Sequence, residues 1–433
     1  MKILTVHNSY QQQGGEDIVF EQECQLLQSM GHSVITYRRS NWEAAEYLGL
    51  RQIELAGRTI WARDVRQQFA RLLDREKPDL VHAHNTFVMI SPSIFSACRE
   101  AGVPVVQTLH NFRLYCPAAT FFRDGHVCQE CVHHGLWRGV AHGCYRDSRA
   151  ATATVALMLA VHRQRQTWSR EVDCFIALTE CSKEKFVAAG LPAEKVFVKP
   201  NFVNPDPGQR DHKNGDYALF VGRLSPEKRV STMLAAWDHL RDMDIPLVIL
   251  GGGSQLEQLK KVSQNRARIS FRGQVPREEI LEAMRGARFL VFPSEWYENF
   301  PVTIAESFAC GVPVICSRMG AMREIVEESR TGLHFTAGDA ADLAQKVAWA
   351  WNHTKDMERM GTEARREYET KYTAAKNYPM LMEIYQHALR KNRRPAEGSV
   401  VSDTKRLFHT GARSESPAVT HSNCLMDNAR GTP

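Results

Sequence analysis

The sequence predicts an α/β protein built from two doubly wound domains, each with a parallel sheet. Three observations carry that prediction. Short apolar runs rich in Val and Ile recur without polar alternation, the pattern of strands buried on both faces. They alternate with helical stretches, the order that βαβ crossovers impose. The rhythm then repeats, about six strands to each half, on either side of the polar stretch NFVNPDPGQRDHKNGD.

That stretch, 201–216, is rich in Pro and Gly and reads as a linker. It separates an N-terminal domain, 1–200, from a second domain, 217–375. A last helix is expected at 376–392, returning to the N-terminal domain. From 395 to 433 the chain lacks periodicity and is expected to be a disordered tail. The 433 residues suffice for two cores, and 55 Lys plus Arg against 49 Asp plus Glu leave a net charge of +6. That mild excess suits an anionic ligand, while the dense basic stripe of a nucleic-acid binder is missing. Eleven cysteines, an odd number with no signal-like leader before them, suggest a reducing, cytoplasmic setting.

In the first half the strands are placed at 2–7, 33–37, 79–84, 104–109, 174–178 and 196–199, with helices such as 17–29 and 182–189 between them. The opening MKILTVHNSY is read as a strand, its apolar run being too short for a signal peptide. It leads into Gly14–Gly15 and a helix, where a substrate could approach the backbone closely. The pattern falls short of G-x-G-x-x-G, and nothing in it argues for a nicotinamide cofactor. His110 follows the strand at 104–109 and would face the same crevice.

Residues 112–150 show no strand pattern, and a structureless stretch of that length needs a staple. Cys116, Cys128, Cys131 and Cys144 could together hold a structural zinc, though only Cys128 and Cys131 have tight spacing. Unligated thiols are the alternative. The apolar run 150–161, followed by His162, Arg163, Arg165 and Arg170, reads first as a core helix with a basic end. Its second reading is a peripheral contact with an anionic membrane surface.

In the second half the strands are placed at 217–222, 246–250, 268–272, 288–292, 312–316 and 333–335. Open α/β sheets bind ligands outside the carboxyl ends of their strands, so two loops matter there. FVGRLSPEK ends a strand and supplies Arg223 and Lys228 beside a helix start, a setting that attracts an anion. ENFPVTIAE follows the strand at 288–292 and places Glu298 in the loop, Pro301 at the first helical position and Glu306 in the second turn. A carboxylate there would accept from hydroxyls rather than bind phosphate. Gly311 reads as the helix stop. DMD, 242–244, imitates a metal-binding D-x-D but lies at the wrong end of its strand.

GRLSPEK and ENFPVTIAE in the second of two such domains resemble the retaining glycosyltransferases of the GT-B fold, the "group 1" or family-4 set. The resemblance covers most of residues 1–390. It implies that Arg223 and Lys228 hold the donor diphosphate, Glu298 contacts the donor sugar at the reacting centre and Glu306 holds the ribose. Asn299, Phe300 and Val302 would touch sugar and phosphate through their backbone, with Gly14 and Gly15 opposite, and His110 would meet the sugar. Asn299 stands where many members have Gly, and the glycine loop lacks the lysine of the starch-synthase type. The activity so implied is metal-independent transfer of a hexosyl group from a nucleotide-diphospho-sugar to a glycan or lipid-linked acceptor. No cofactor would be needed for catalysis. The alternatives are a sugar-nucleotide epimerase of the same fold and a non-catalytic nucleotide-sugar-binding protein.

Overall fold

The computed structural model describes residues 1–11, 14–209, 215–264, 266 and 268–392. The expected tail, 395–433, lies outside the described residues.

The first sheet contains β1 (Lys2–Ser9), β2 (Ser33–Ser40), β3 (Leu80–Ala83) and β4 (Val105–Thr108). A two-strand hairpin, β5 (Phe122–Arg123) and β6 (His126–Val127), interrupts it before β7 (Cys174–Ala177) and β8 (Val196–Val198) complete it. The second sheet contains β9 (Ala218–Val221), β10 (Leu247–Leu250), β11 (Ile269–Gly273), β12 (Phe289–Phe292), β13 (Val314–Ser317) and β14 (Gly332–Phe335). Strand order is β2-β1-β3-β4-β7-β8 in one and β11-β10-β9-β12-β13-β14 in the other, and every pair within them is parallel. This is the doubly wound α/β architecture that the sequence predicts.

The central strands β3, β4, β7, β9, β10, β12 and β13, and the edge strand β14, are buried along their whole length, because helices cover both faces. At the opposite edges, β2 and β11 are only half covered and accordingly mix Thr, Tyr, Arg and Ser with their apolar residues. One apolar cluster runs from the first sheet across to the second domain, and a separate one fills the far face of the second sheet.

Chain order reverses between β1 and β3 in one sheet and between β9 and β12 in the other. These switch points open the crevices in which such sheets bind ligands. Gly14–Gly15 follows β1, Arg223 follows β9 and Glu298 follows β12.

Two features differ from the expectation. Pro301 is the N-cap of helix Val302–Ala309 rather than its first residue; its backbone is extended, continuing the loop one position further. The 112–150 insertion does contain strands, but β5 and β6 are two residues each and too short to show a period. Short helices Glu130–His133 and Trp137–His142 follow them. Gly311 has φ 69°, the left-handed turn expected of a helix stop.

Helix Arg149–Gln164, which carries the apolar run, buries Val155, Met158, Leu159 and His162 within the N-terminal domain. No helix among the described residues is long and apolar enough to cross a membrane. The last helix, Ala374–Asn392, packs on helix Gly15–Ser29, β4 and β7 of the first domain. The chain therefore passes between the domains twice. The two passages touch: Val203 N–H donates to the Tyr372 carbonyl at 2.9 Å, and Val203 bridges to Thr373.

Candidate active site

The loop after β12 is organised around one carboxylate oxygen. Glu298 Oε1 lies 2.5 Å from Lys228 Nζ and accepts from Trp296 Nε1 at 2.7 Å and Ser294 Oγ at 2.8 Å. Its Oε2 has no hydrogen bond within the described residues, although the side chain is only 8% exposed. The Lys228 ammonium also faces the Phe292 and Trp296 rings, at 5.1 and 5.6 Å. Lys228 is therefore engaged with Glu298 rather than standing free beside Arg223. Arg223 is exposed at the end of β9, and no described residue pairs with it.

Glu306, one turn into helix Val302–Ala309, is buried and meets Arg277 Nη1 at 2.5 Å. Burial pushes its carboxyl up, and Arg277 opposes that shift. The Nη2 of Arg277 is buried without a hydrogen-bond partner. Sequence reasoning missed Arg277; the available signal was Pro-Arg opening a helix after β11. It also missed Gly251–Gly253. A Cβ on Gly251 would sit 1.9 Å from the Gly222 carbonyl oxygen, and one on Gly253 would sit 2.4 Å from that of Leu224. Only glycine lets this loop lie against the Arg223 loop, and the three-glycine run after a strand was its signal.

The N-terminal wall meets this site directly. Asn299 Nδ2 donates to the His110 carbonyl at 3.0 Å, and Thr179 Oγ1 donates to the Asn299 carbonyl at 3.2 Å. Asn299 Oδ1 is a buried acceptor without a donor. A Cβ built on Gly15 would lie 3.9 Å from Val302 Cγ2, so the two helix starts face each other across the crevice. Gly14 is the N-cap of helix Gly15–Ser29, its N–H bonded to Asp17 Oδ2 at 2.8 Å. The Phe300 ring packs into the core, 5.6 Å from the Tyr372 ring, which leaves only its backbone for a ligand. The structure thus joins Lys228 to Glu298, Asn299 to His110 and Gly15 to Val302.

Glu16 was not anticipated. It accepts from Tyr10 Oη at 3.0 Å, its Oε1 is buried without a partner, and burial pushes its carboxyl up to about 8. His110 is likewise held well below the usual imidazole range, first by burial and then by neighbouring His84 and His7.

The four cysteines of the insertion are one another's electrostatic neighbours. Burial, followed by Cys116, Cys144 and Cys128, pushes the Cys131 thiol up to about 12. Among the described residues only Glu23, His82 and His84 bring three ligand atoms within 4.8 Å, so the sulfurs stand further apart than in a closed zinc site. The Asp242–Asp244 stretch lies before β10, and Asp244 pairs with Arg268.

Two family models tile the chain: Glycosyltransferase Family 4 matches residues 13–207, and Glycosyl transferases group 1 matches residues 206–367. The chain resembles sulfoquinovosyl transferase SQD2 of Arabidopsis thaliana, 26% identical over 351 residues that cover 77% of this chain and 62% of that protein. It also resembles glycogen synthase of Mycobacterium tuberculosis, 26% identical over 330 residues, 74% of this chain and 71% of the relative. With the glycosyltransferase MJ1178 of Methanocaldococcus jannaschii it is 29% identical over 179 residues, 40% of this chain and 50% of the relative. The aligned segments thus span about half of one of these relatives and 62% of another. Among solved structures, sucrose-phosphate synthase from Thermosynechococcus elongatus superposes with TM-score 0.67 at 16% identity, over 90% of this chain and 99% of that one. Anabaena Alr3699/HepE in complex with UDP and glucose superposes with TM-score 0.60 at 18% identity, over 89% and 99%. The fold is GT-B.

Proposed function

Starting from a chain that carries a glycosyltransferase family 4 domain followed by a glycosyltransferase group 1 domain, we propose that it moves a hexosyl group from a nucleotide-diphospho-sugar to a glycan or lipid-linked acceptor, retaining the anomeric configuration. Polysaccharide assembly is the setting that fits best. The observation that carries the reading is Glu298. Three donors fix its Oε1, its Oε2 has no hydrogen bond among the described residues, and it stands in the loop after β12 next to Asn299, which bonds to His110 of the other domain. A carboxylate so held suits a sugar hydroxyl.

In the proposed reaction the bond from the anomeric carbon to the β-phosphate oxygen breaks, and a bond to the acceptor oxygen forms. The acceptor's proton leaves with the nucleoside diphosphate. Arg223, with no side-chain partner among the described residues, would meet the growing phosphate charge, joined by Lys228 as Glu298 takes up the sugar. Fixed cations and helix amides aimed at that charge lower the barrier without a divalent metal. Glu306 would release Arg277 to accept from ribose hydroxyls. His110, Asn299, Gly14 and Gly15 would close over the sugar, and the backbone of Phe300 and Val302 would line it.

Zinc belongs to the proposal as a structural ion only. Cys116, Cys128, Cys131 and Cys144 would be drawn together by it, stapling a hairpin and two short helices; no step of the reaction passes through it.

A thermal-shift panel of UDP-, GDP-, ADP- and dTDP-sugars with their free nucleotides tests the reading. One ligand at about a hundred times its dissociation constant should add about 2.7 kcal/mol. Transfer should then persist in EDTA; activity lost to EDTA and restored by magnesium would overturn the metal-independent mechanism.

A further inference from the structure

A line of polar groups runs from the crevice into the N-terminal domain, and His110 is its outer end. Its Nε2 lies 3.0 Å from Nδ1 of His84, with the rings stacked at 5.2 Å. The Nε2 of His84 lies 3.2 Å from Glu23 Oε1 and has no other hydrogen-bond partner among the described residues, whereas that oxygen also has His82 Nδ1 at 2.9 Å. The other Glu23 oxygen accepts from Lys199 Nζ at 3.0 Å, and Lys199 also donates to Asn377 Oδ1 of the last helix at 2.9 Å. His82 flanks the line: its Nδ1 is 2.9 Å from Glu23 Oε1 and 2.8 Å from Tyr385 Oη, and its Nε2 is 2.8 Å from Thr108 Oγ1.

Glu23, His82 and His84 bring their ligand atoms close enough to suggest a metal. Lys199 argues against one, because its ammonium already neutralises the carboxylate and would repel a cation. Both nitrogens of His82 are also occupied.

The direction of the hydrogen bonds follows from the charge. Burial pushes the Glu23 carboxyl up, but Lys199 and His82 outweigh it and hold it well below the usual range, so it only accepts. The proton facing it therefore sits on Nε2 of His84. Burial and His82 hold His84 down to about 3, so it is neutral and its Nδ1 is a bare acceptor. The one proton between the two rings then belongs to Nε2 of His110. The opposite arrangement would set a bare His84 nitrogen lone pair against the Glu23 carboxylate oxygen at 3.2 Å, with no other donor for that nitrogen among the described residues.

We propose that Glu23, acting through His84, locks His110 as its Nε2–H tautomer, so that the imidazole offers the crevice a bare Nδ1 that accepts from a hydroxyl. Glu23 and His84 are then positioning residues, and His110 favours a sugar hydroxyl over an oxyanion. This extends the reading of the crevice as a sugar-transfer site and rests on it for the identity of the hydroxyl.

The test is long-range proton–nitrogen NMR on the full chain labelled with [15N]histidine, with His110 assigned from the signal that His110→Gln removes. The expected result is a neutral His110 in the Nε2–H form at neutral pH. An Nδ1–H tautomer or an imidazolium would overturn the proposal. Glu23→Gln can turn an amide N–H toward His84, so the His110 signal should lose its pure Nε2–H pattern; an unchanged pattern would also overturn it. Should Glu23→Gln fail to fold, Glu23→Gln with Lys199→Met removes both charges and is read the same way. The tautomer is measured without ligand, so failure of the sugar-nucleotide panel would refute the function and leave this result standing.

Discussion

Lys199→Met probes the buried charge on which this arrangement depends. Lys199 and Glu23 side chains are 1% and 2% exposed, and their atoms meet at 3.0 Å. Methionine fills much of the lysine stem's volume but leaves the Glu23 carboxylate beside His82 and His84 without its cation. Removing one partner of a buried pair typically costs about 3–5 kcal/mol. The orphaned Asn377 amide oxygen would by itself cost about 1–3 kcal/mol, and both groups can shift to share part of the loss. The expected destabilisation is about 4 kcal/mol at neutral pH. Its pH dependence has a definite sign. Glu23 is held low in the folded chain, so its ion-pair contribution is present above the ordinary carboxylate pKa of 4.5 and is lost as pH falls through its folded value. The gap between wild type and variant should therefore narrow in acid. Urea unfolding followed by circular dichroism, at neutral pH and near pH 4, measures it. Adding Glu23→Gln should recover more than half of the loss. A cost under about 1 kcal/mol, or no recovery in the double variant, would refute the buried-pair argument.

Arg223→Ala should lower transfer by about 10²–10³-fold, as when one charge-stabilising donor is removed; circular dichroism should be unchanged, since Arg223 has no partner among the described residues. Glu16 is held up to about 8 against an ordinary 4.5, so the stability present below 4.5 is lost as pH rises toward 8. That slope is at most about 1.4 kcal/mol per pH unit, and melts of Glu16→Gln against wild type across this window should show it removed. Elemental analysis of protein purified without chelator should find one zinc per chain if the cysteine quartet closes on an ion. Its absence would return the quartet to free thiols.

Much of the architecture was legible because buried parallel strands leave an unambiguous trace. Phe289–Phe292 is apolar at every position, and a glycine, proline or polar loop usually follows such runs. The acids of the second domain were legible through their fixed spacing around a helix start. What the sequence hid were partnerships between distant segments. Lys199 is 176 residues from Glu23, and His82 is 303 residues from Tyr385. Nothing in the local sequence around any of these four residues points to its partner. Arg277 and Glu306 meet only because β11 and β12 carry them to the same end of one sheet. The hairpin at 122–127 escaped because two residues cannot display a period of two.

The two touching passages between the domains have a mechanical meaning. A single linker would let the halves swivel in any direction. Here Val203 is hydrogen-bonded to Tyr372 and bridged to Thr373, so the outgoing and returning chains form one short doubled pivot. Sliding or shearing one half past the other would break these bonds, whereas rotation about the pivot preserves them. Displacement in such a rotation grows with distance from the axis. Phe300 sets its ring edge-to-face with that of Tyr372, beside that axis, so the segment carrying Glu298 and Asn299 is anchored where the molecule moves least. Opening and closing would then be felt mainly at the far rim of the crevice, while the acid that defines its floor keeps its place.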